Sequence, residues 1–404
     1  MSFDTRIMIN EKINSCDIFC VVIDNYGDIG VCWRLSKLLA NEMGLSVRLW
    51  VDDLHSFQRI CSEVETDQEI QLRRGVEIRQ WAGVFPEVMP AELVIEAFAC
   101  DLPERYVMSM VSKKNKPVWL NLEYLSAESW VSGCHCLPSP HPYLKLVKYF
   151  FFPGFTANLG GLIIEHDLLA RRDEFQADVA LQNIYWDKLA VPPRKPGEVR
   201  VSIFSYESPW LSALLTSWSR GPLPLTCLVP EGRILPQIAH FLGRQHISVG
   251  EVVEVGSLRV YVLPFIEQDE YDKLLWACDV NFVRGEDSCV RAQWAGKPFV
   301  WHIYPQHDGV HMKKLHALLE LYCIGLEKEC VRALITLWNV WNSDEKYEKK
   351  TADSIDDIWR NLIVNQEIIE AHAIKWAENL SRNNLALNLL DFSLKVGKIA
   401  PLEN

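Results

Sequence analysis

Residues 18–23 form a short, almost uninterrupted apolar run rich in β-branched side chains, the pattern of a strand buried on both faces. A polar turn punctuated by glycine follows, Asp24-Asn25-Tyr26-Gly27-Asp28-Ile29-Gly30. From Val31 the apolar positions Val31, Leu35, Leu38 and Leu39 then recur at helical spacing. Strand, glycine turn and helix predict the opening unit of a doubly wound α/β domain, whose ligands bind at strand carboxyl ends. Further strands are predicted at 45–51, 76–81, 93–98 and 117–122, with a helix at 102–113, so the sheet should be mostly parallel with right-handed crossovers. Between 134 and 161 the pattern gives way to loops dense in Pro, Gly and aromatics, either buried loop packing or the wall of a cleft. The polar stretch 171–197 ends in VPPRKPG and predicts a linker.

The alternation then restarts. Strands are predicted at 199–204, 225–229, 259–263, 279–283 and 298–303, with helices at 210–218, 235–243, 268–278 and 288–295. From 311 to 396 everything reads helical, including a long segment at 363–380. The expected fold is therefore α/β, with two Rossmann-like doubly wound domains at 14–185 and 197–374 and a helical C-terminal tail. Residues 375–396 of that tail are expected to brace the first domain. Two such halves facing a central cleft are the architecture of GT-B glycosyltransferases, although architecture alone does not decide function.

Composition narrows the classes. A chain of 404 residues is long enough for two full cores. A formal net charge of −12 argues against a general nucleic-acid binder, which needs a basic face for phosphate. Twelve cysteines occur without paired C-x-x-C spacing, and Cys134-His135-Cys136 has no second pair to complete a zinc site. No secretory signal and no apolar run of about 20 residues is present, so reduced thiols, a cytoplasmic location and no membrane contact are expected.

The candidate chemistry lies in the turns. The first carries two carboxylates, Asp24 and Asp28, where a phosphate cradle would present bare amides; helix capping is the plainest role for them. In the second half, strand ends carry Phe204-Ser205-Tyr206, Phe265 with Gln268 and Tyr271, Arg284-Gly285-Glu286-Asp287-Ser288, and Tyr304. Each alone is ordinary. Together they offer what a nucleotide-sugar donor needs: aromatic faces for the base, a helix N-terminus for the diphosphate and an arginine to neutralise it.

The run D-N-Y-G-D-I-G-x-x-W-R-L resembles the N-terminal signature of EarP, a family of bacterial protein-arginine rhamnosyltransferases. The resemblance continues through FSYE at Phe204–Glu207, LPF with Gln268, YDKLLWACDVNFVRGEDS at Tyr271–Ser288 and QWAGKPFVWHIYPQ at Gln293–Gln306. It implies a GT-B enzyme that takes dTDP-β-L-rhamnose as donor, inverts the anomeric carbon and needs no cofactor. The implied acceptor is one arginine on the N-terminal domain of elongation factor P, activated thereby to relieve ribosome stalling at polyproline. Residue by residue, it places the catalytic carboxylates on Asp24 and Asp28, with Asp28 as general base and Glu286 as a further contributor. Asn25, Tyr26 and Gly27 fall beside the sugar, and Phe204, Tyr206, Phe265, Gln268 and Tyr271 on the nucleoside side. Arg284, Gly285, Asp287, Ser288 and Tyr304 fall at the diphosphate and sugar.

An arginine side chain with a pKa of about 12.5–13.8 cannot be stripped by an aspartate near 3.9. A carboxylate pair can instead hold the guanidinium and accept its proton as the C–N bond forms. Asp24 and Asp28 do not form a D-x-D metal motif, so no metal is expected. Three rivals stand beside this reading. A nicotinamide-dependent oxidoreductase lacks its G-x-G-x-x-G here. A GT-B enzyme with a small-molecule acceptor would keep the same architecture. A non-catalytic nucleotide-binding protein, in which Asp24 and Asp28 merely cap and bind a basic ligand, would be favoured by failure of any nucleotide sugar to bind.

Overall fold

The computed structural model describes residues 13–23, 26–81, 83–306, 309–343 and 354–397. Its first sheet contains β1 (Ser15–Cys20), β2 (Ser46–Val51), β3 (Ile70–Arg73), β4 (Val76–Gln80), β5 (Leu93–Ala97), β6 (Val118–Leu122), β7 (Pro138–Pro140) and β8 (Val147–Phe151). They lie in the order β3-β4-β2-β1-β5-β6-β8-β7, parallel except for β3 and β7 at the two edges. The second sheet contains β9 (Val199–Ile203), β10 (Leu225–Pro230), β11 (Val252–Val255), β12 (Leu258–Leu263), β13 (Val280–Arg284) and β14 (Phe299–His302). Its order is β11-β12-β10-β9-β13-β14, with only β11 antiparallel.

The inner strands β5, β6, β9, β10 and β13, and the edge strand β14, are buried along their whole length. Helices on both faces of each sheet explain their continuous apolar sequence. In each sheet the strand order reverses beside the first strand of the half. β1 pairs with both β2 and β5, and β9 with both β10 and β13. These are the two topological switch points, where open α/β sheets leave a crevice at their carboxyl ends.

Three stretches depart from the sequence-based expectation. Residues 171–197 are mostly helical, as Leu168–Ala177 and Val179–Lys188, leaving only the proline-rich end as coil. Their polar residues are the solvent faces of helices whose Phe175, Tyr185 and Trp186 enter the second-half core, and Asp178 caps the second helix through the amides of Ala180 and Leu181. The loop-like segment 134–161 contains β7 and β8, and Tyr149-Phe150-Phe151 completes the first sheet beside β6. The segment 363–380 is not one helix, because Asn365 separates Ile355–Val364 from Gln366–Leu380.

The tail crosses between the halves. Ile369, Ala373, Ala377 and Leu380 join the second-half core, whereas Leu385, Ala386 and Leu389 of the last helix, Leu385–Gly397, join the first. Between them the backbone is tied to Leu162 through Leu162 N–Asn383 O at 3.0 Å and Leu385 N–Leu162 O at 2.9 Å. All twelve cysteines are free thiols. Among the described residues no helix is long and apolar enough to cross a membrane.

Candidate active site

The turn after β1 is fastened by carboxylates. Val22 N donates to Asp52 Oδ1 at 2.9 Å and Ile23 N to Asp28 Oδ2 at 2.9 Å. Asp28 sits in the first turn of the helix Gly27–Asn41, where negative charge is favoured by the helix dipole. It is only 4 % exposed yet lines a cavity between the halves. The Tyr124 hydroxyl, just beyond β6, lies beside it. Burial, then the charges of Asp28 and Glu286, push that hydroxyl well above the usual tyrosine range, so it stays protonated. Asp24 and Asn25 lie outside the described residues.

The facing turn follows β13. Gly285 has φ +70°, a conformation that strains any L side chain, and a Cβ there would meet nothing within 4 Å. The glycine is therefore required by backbone geometry rather than by crowding. It starts the helix Glu286–Trp294 and turns that helix's first residues onto the cleft. Arg284 stacks between the rings of Phe204 and Tyr206, at 4.7 and 4.8 Å. Beside it His302 is buried against Ser205, with Nδ1 and Oγ 2.7 Å apart. Burial, with Arg284 and His311 adding to it, pulls His302 down to about 3, so the ring is neutral near pH 7.

Two acids in the first turn of this helix would repel a phosphate, but both are already occupied. Glu286 pairs with Lys314 Nζ at 2.5 Å and accepts from Leu125 N at 2.8 Å. Asp287 is held by Arg34 of the first half at 2.8 Å. The helix amides and Arg284 are thereby left to face an anion with both neighbouring carboxylates ion-paired.

Arg34 belongs to a buried ion cluster that joins the halves. It is 2 % exposed and reaches Asp287 at 2.8 Å, Asp272 at 3.2 Å and the Gln268 carbonyl at 3.1 Å. Arg291 binds Asp272 at 2.9 and 2.5 Å and Glu165 at 2.8 Å. Burial and Arg291 each lower the Arg34 pKa, but Asp272, Asp287 and Glu165 outweigh them and leave it raised. Burial would raise Glu165, yet Arg291 and Arg34 hold it at about 2. Gly30 lets the halves approach closely: Gln268 Nε2 donates to its carbonyl at 2.8 Å, and a Cβ there would meet that nitrogen at 3.3 Å.

The cleft has two compartments that meet at Gly27 and Gly285. The first, about 660 Å³ including space open to solvent, is lined by Tyr26, Gly27, Phe204, Tyr206, Phe265, Gln268, Tyr271, Arg284, Gly285, Asp287 and Ser288 among others. Its aromatic wall is continuous, since Phe265 contacts Tyr26 at 5.0 Å and Phe204 at 6.4 Å, and Phe204 contacts Tyr271 at 5.7 Å. Gln268 Oε1 is buried without a hydrogen-bond partner among the described residues. The second compartment, about 1250 Å³ including space open to solvent, is lined by Asp28, Glu286, Tyr304, Tyr124, Glu128 and Lys314 among others. Every described residue that the family resemblance assigns a site role borders one compartment or the other. Sequence reasoning passed over Tyr124, Lys314, Arg34, Asp272 and Glu165. Tyr124 was open to the same strand-end rule, because it follows β6; Lys314 carries no local signal. Among the described residues no group of three or more His, Cys, Asp or Glu side chains is placed to hold a metal ion.

The family model described as Elongation-Factor P (EF-P) rhamnosyltransferase EarP matches residues 16–394. A protein-arginine rhamnosyltransferase of Pseudomonas aeruginosa is 47% identical over 379 residues, covering 94% of this chain and 98% of that protein. The Shewanella oneidensis protein-arginine rhamnosyltransferase is 40% identical, covering 94% and 97%. A solved structure from work on EarP-mediated arginine glycosylation of translation elongation factor EF-P superposes with a TM-score of 0.66 at 34% identity, covering 94% of this chain and 99% of that one. A plant UDP-glucosyltransferase from Polygonum tinctorium, at 9% identity and a TM-score of 0.51, shares the fold alone, with 97% and 99% covered. With two facing parallel-dominated sheets and family similarity along nearly its whole length, this chain is a GT-B glycosyltransferase and belongs to the EarP family.

Proposed function

We propose that this protein transfers L-rhamnose from dTDP-β-L-rhamnose to an arginine of translation elongation factor P, inverting the anomeric carbon. The carrying observation is that Asp28 and Glu286, from opposite halves, face one cavity that joins an aromatic cleft closed by Arg284. The thymine stacks in the Phe204, Phe265 and Tyr271 wall, and the orphaned Gln268 Oε1 supplies an acceptor for its ring N–H. The diphosphate lies against Arg284 and the amides that start the helix at Glu286, with Tyr304 and Ser288 beside the sugar.

The acceptor guanidinium enters the second compartment. Its nitrogen attacks C1 from the face opposite the diphosphate, forming the N–C1 bond as the C1–O bond breaks. The nitrogen's proton passes to Asp28 late in that step, when the substituted guanidinium has become acidic enough to release it. The protonated Tyr124 hydroxyl beside Asp28 is placed to donate to the carboxylate and so orient it for this transfer. Fixed negative charge at Asp28 and Glu286 also favours an oxocarbenium-like sugar. Leaving-group charge is met by Arg284 and helix amides, and we expect turnover without a metal.

The test is to incubate the protein with dTDP-rhamnose and elongation factor P and weigh the intact product. The expected result is a gain of one deoxyhexose on an arginine, unchanged by EDTA. No gain at saturating donor overturns the reading. A gain only with a small-molecule acceptor moves the protein to another GT-B activity.

A further inference from the structure

The second compartment already contains a cation. Lys314, on the helix Val310–Tyr322, places Nζ 2.5 Å from Glu286 and 5.7 Å from the centroid of the Tyr124 ring. The ring itself lies flat on Phe98, with centroids 4.5 Å apart and planes within 17°. Asp28 lines the same cavity, so the ammonium is held between a carboxylate and an aromatic face beside the proposed base. A carboxylate together with an aromatic face is also the combination that binds a guanidinium well, through fork-like hydrogen bonds and stacking.

We infer that Lys314 is a placeholder: its ammonium occupies, in the empty enzyme, the position between Glu286 and the Tyr124 ring that the acceptor's guanidinium takes. The inference rests on the arginine-acceptor reading above and adds to it. Lys314 can yield the position, because its side chain is 20% exposed and its stem is flexible. The exchange of one cation for another leaves the charge around Glu286 unchanged. Without a placeholder, Asp28, Glu128 and Glu286 would line a cavity short of positive charge and would capture small cations at random. With it, a cation enters only when further contacts help it compete, as those of a folded protein acceptor do.

The test is a calorimetric titration of N-acetyl-arginine amide into the enzyme saturated with thymidine diphosphate, which requires no turnover. Lys314→Met keeps the stem and removes the charge, and Lys314→Gln serves if the methionine variant does not fold. Removing the competitor should tighten binding about threefold to tenfold, the range set by one half-buried ion pair. Lys314→Arg should restore weak binding. Equal or weaker binding to the charge-removed variant overturns the inference. Loss of turnover on elongation factor P with unchanged arginine affinity also overturns it, making Lys314 a positioning residue for Glu286. Failure of the wild type to modify elongation factor P refutes the arginine-acceptor reading separately, since the titration needs no product.

Discussion

Replacing Arg34 by methionine would test whether the ion cluster between the halves is a clamp. Methionine retains apolar bulk and deletes the guanidinium. The partners left behind fare unequally. Asp272 keeps Arg291 at 2.9 and 2.5 Å, and Glu165 keeps it at 2.8 Å. Asp287 loses its cation at 2.8 Å and, among the described residues, keeps a hydrogen bond from Gln268 Nε2 at 3.1 Å. Removing one member of a buried pair costs about 3–5 kcal/mol, mostly for the charge it strands. The surviving contact and the 16% exposure of the Asp287 side chain place the cost at the low end, about 3 kcal/mol. Adding Asp287→Asn removes the stranded charge and should recover about 1–2 kcal/mol. Urea unfolding followed by tryptophan fluorescence on the wild type, both single variants and the double variant gives the coupling directly. A loss below about 1 kcal/mol for Arg34→Met, or a double variant no more stable than that single, refutes the clamp.

Three further outcomes are expected. Asp28→Asn should keep its affinity for thymidine diphosphate but lose turnover by about 100-fold or more, the usual worth of a general base; a rate within a few-fold of wild type would mean another group takes the proton. Arg284→Ala should weaken thymidine diphosphate by about 10-fold to 100-fold, as expected for a charge-assisted contact, and equal affinity by calorimetry would remove that role. The buried His302, held at about 3, stays neutral while an unfolded histidine protonates near 6.5, so its contribution is complete above pH 6.5 and is lost as pH falls toward 3. Stability should therefore fall more steeply between pH 6 and 4 in the wild type than in His302→Gln, by about 1.4 kcal/mol per pH unit, and parallel curves would contradict it.

The sheets were readable because their inner strands are covered on both faces and so form continuous apolar runs. The edges were harder. β3 and β11 are four-residue strands half in water, and β8 follows a proline-rich loop that masks its register. The polar helices at 168–188 read as linker because their buried residues are few and widely spaced. In the site, glycines and aromatics at strand ends could be found because each local turn advertises itself. The neutralising partners could not. Arg34 meets Asp287 across 253 residues, and nothing near either residue announces the other. The acids of Glu286-Asp287 look hostile to a phosphate until Lys314 and Arg34 are seen beside them.

The last helix has a consequence for synthesis. Leu385, Ala386 and Leu389 fill the core of the half that is made first. During translation, β1 to β8 leave the ribosome long before these residues do, so that half must wait with an apolar gap. The half made second holds most of its own core by Leu380 and is free to settle earlier. Deleting residues 385–397 should thus damage the beginning of the chain more than the middle, and limited proteolysis of ribosome-bound fragments should find the early half still cleavable after the later one resists.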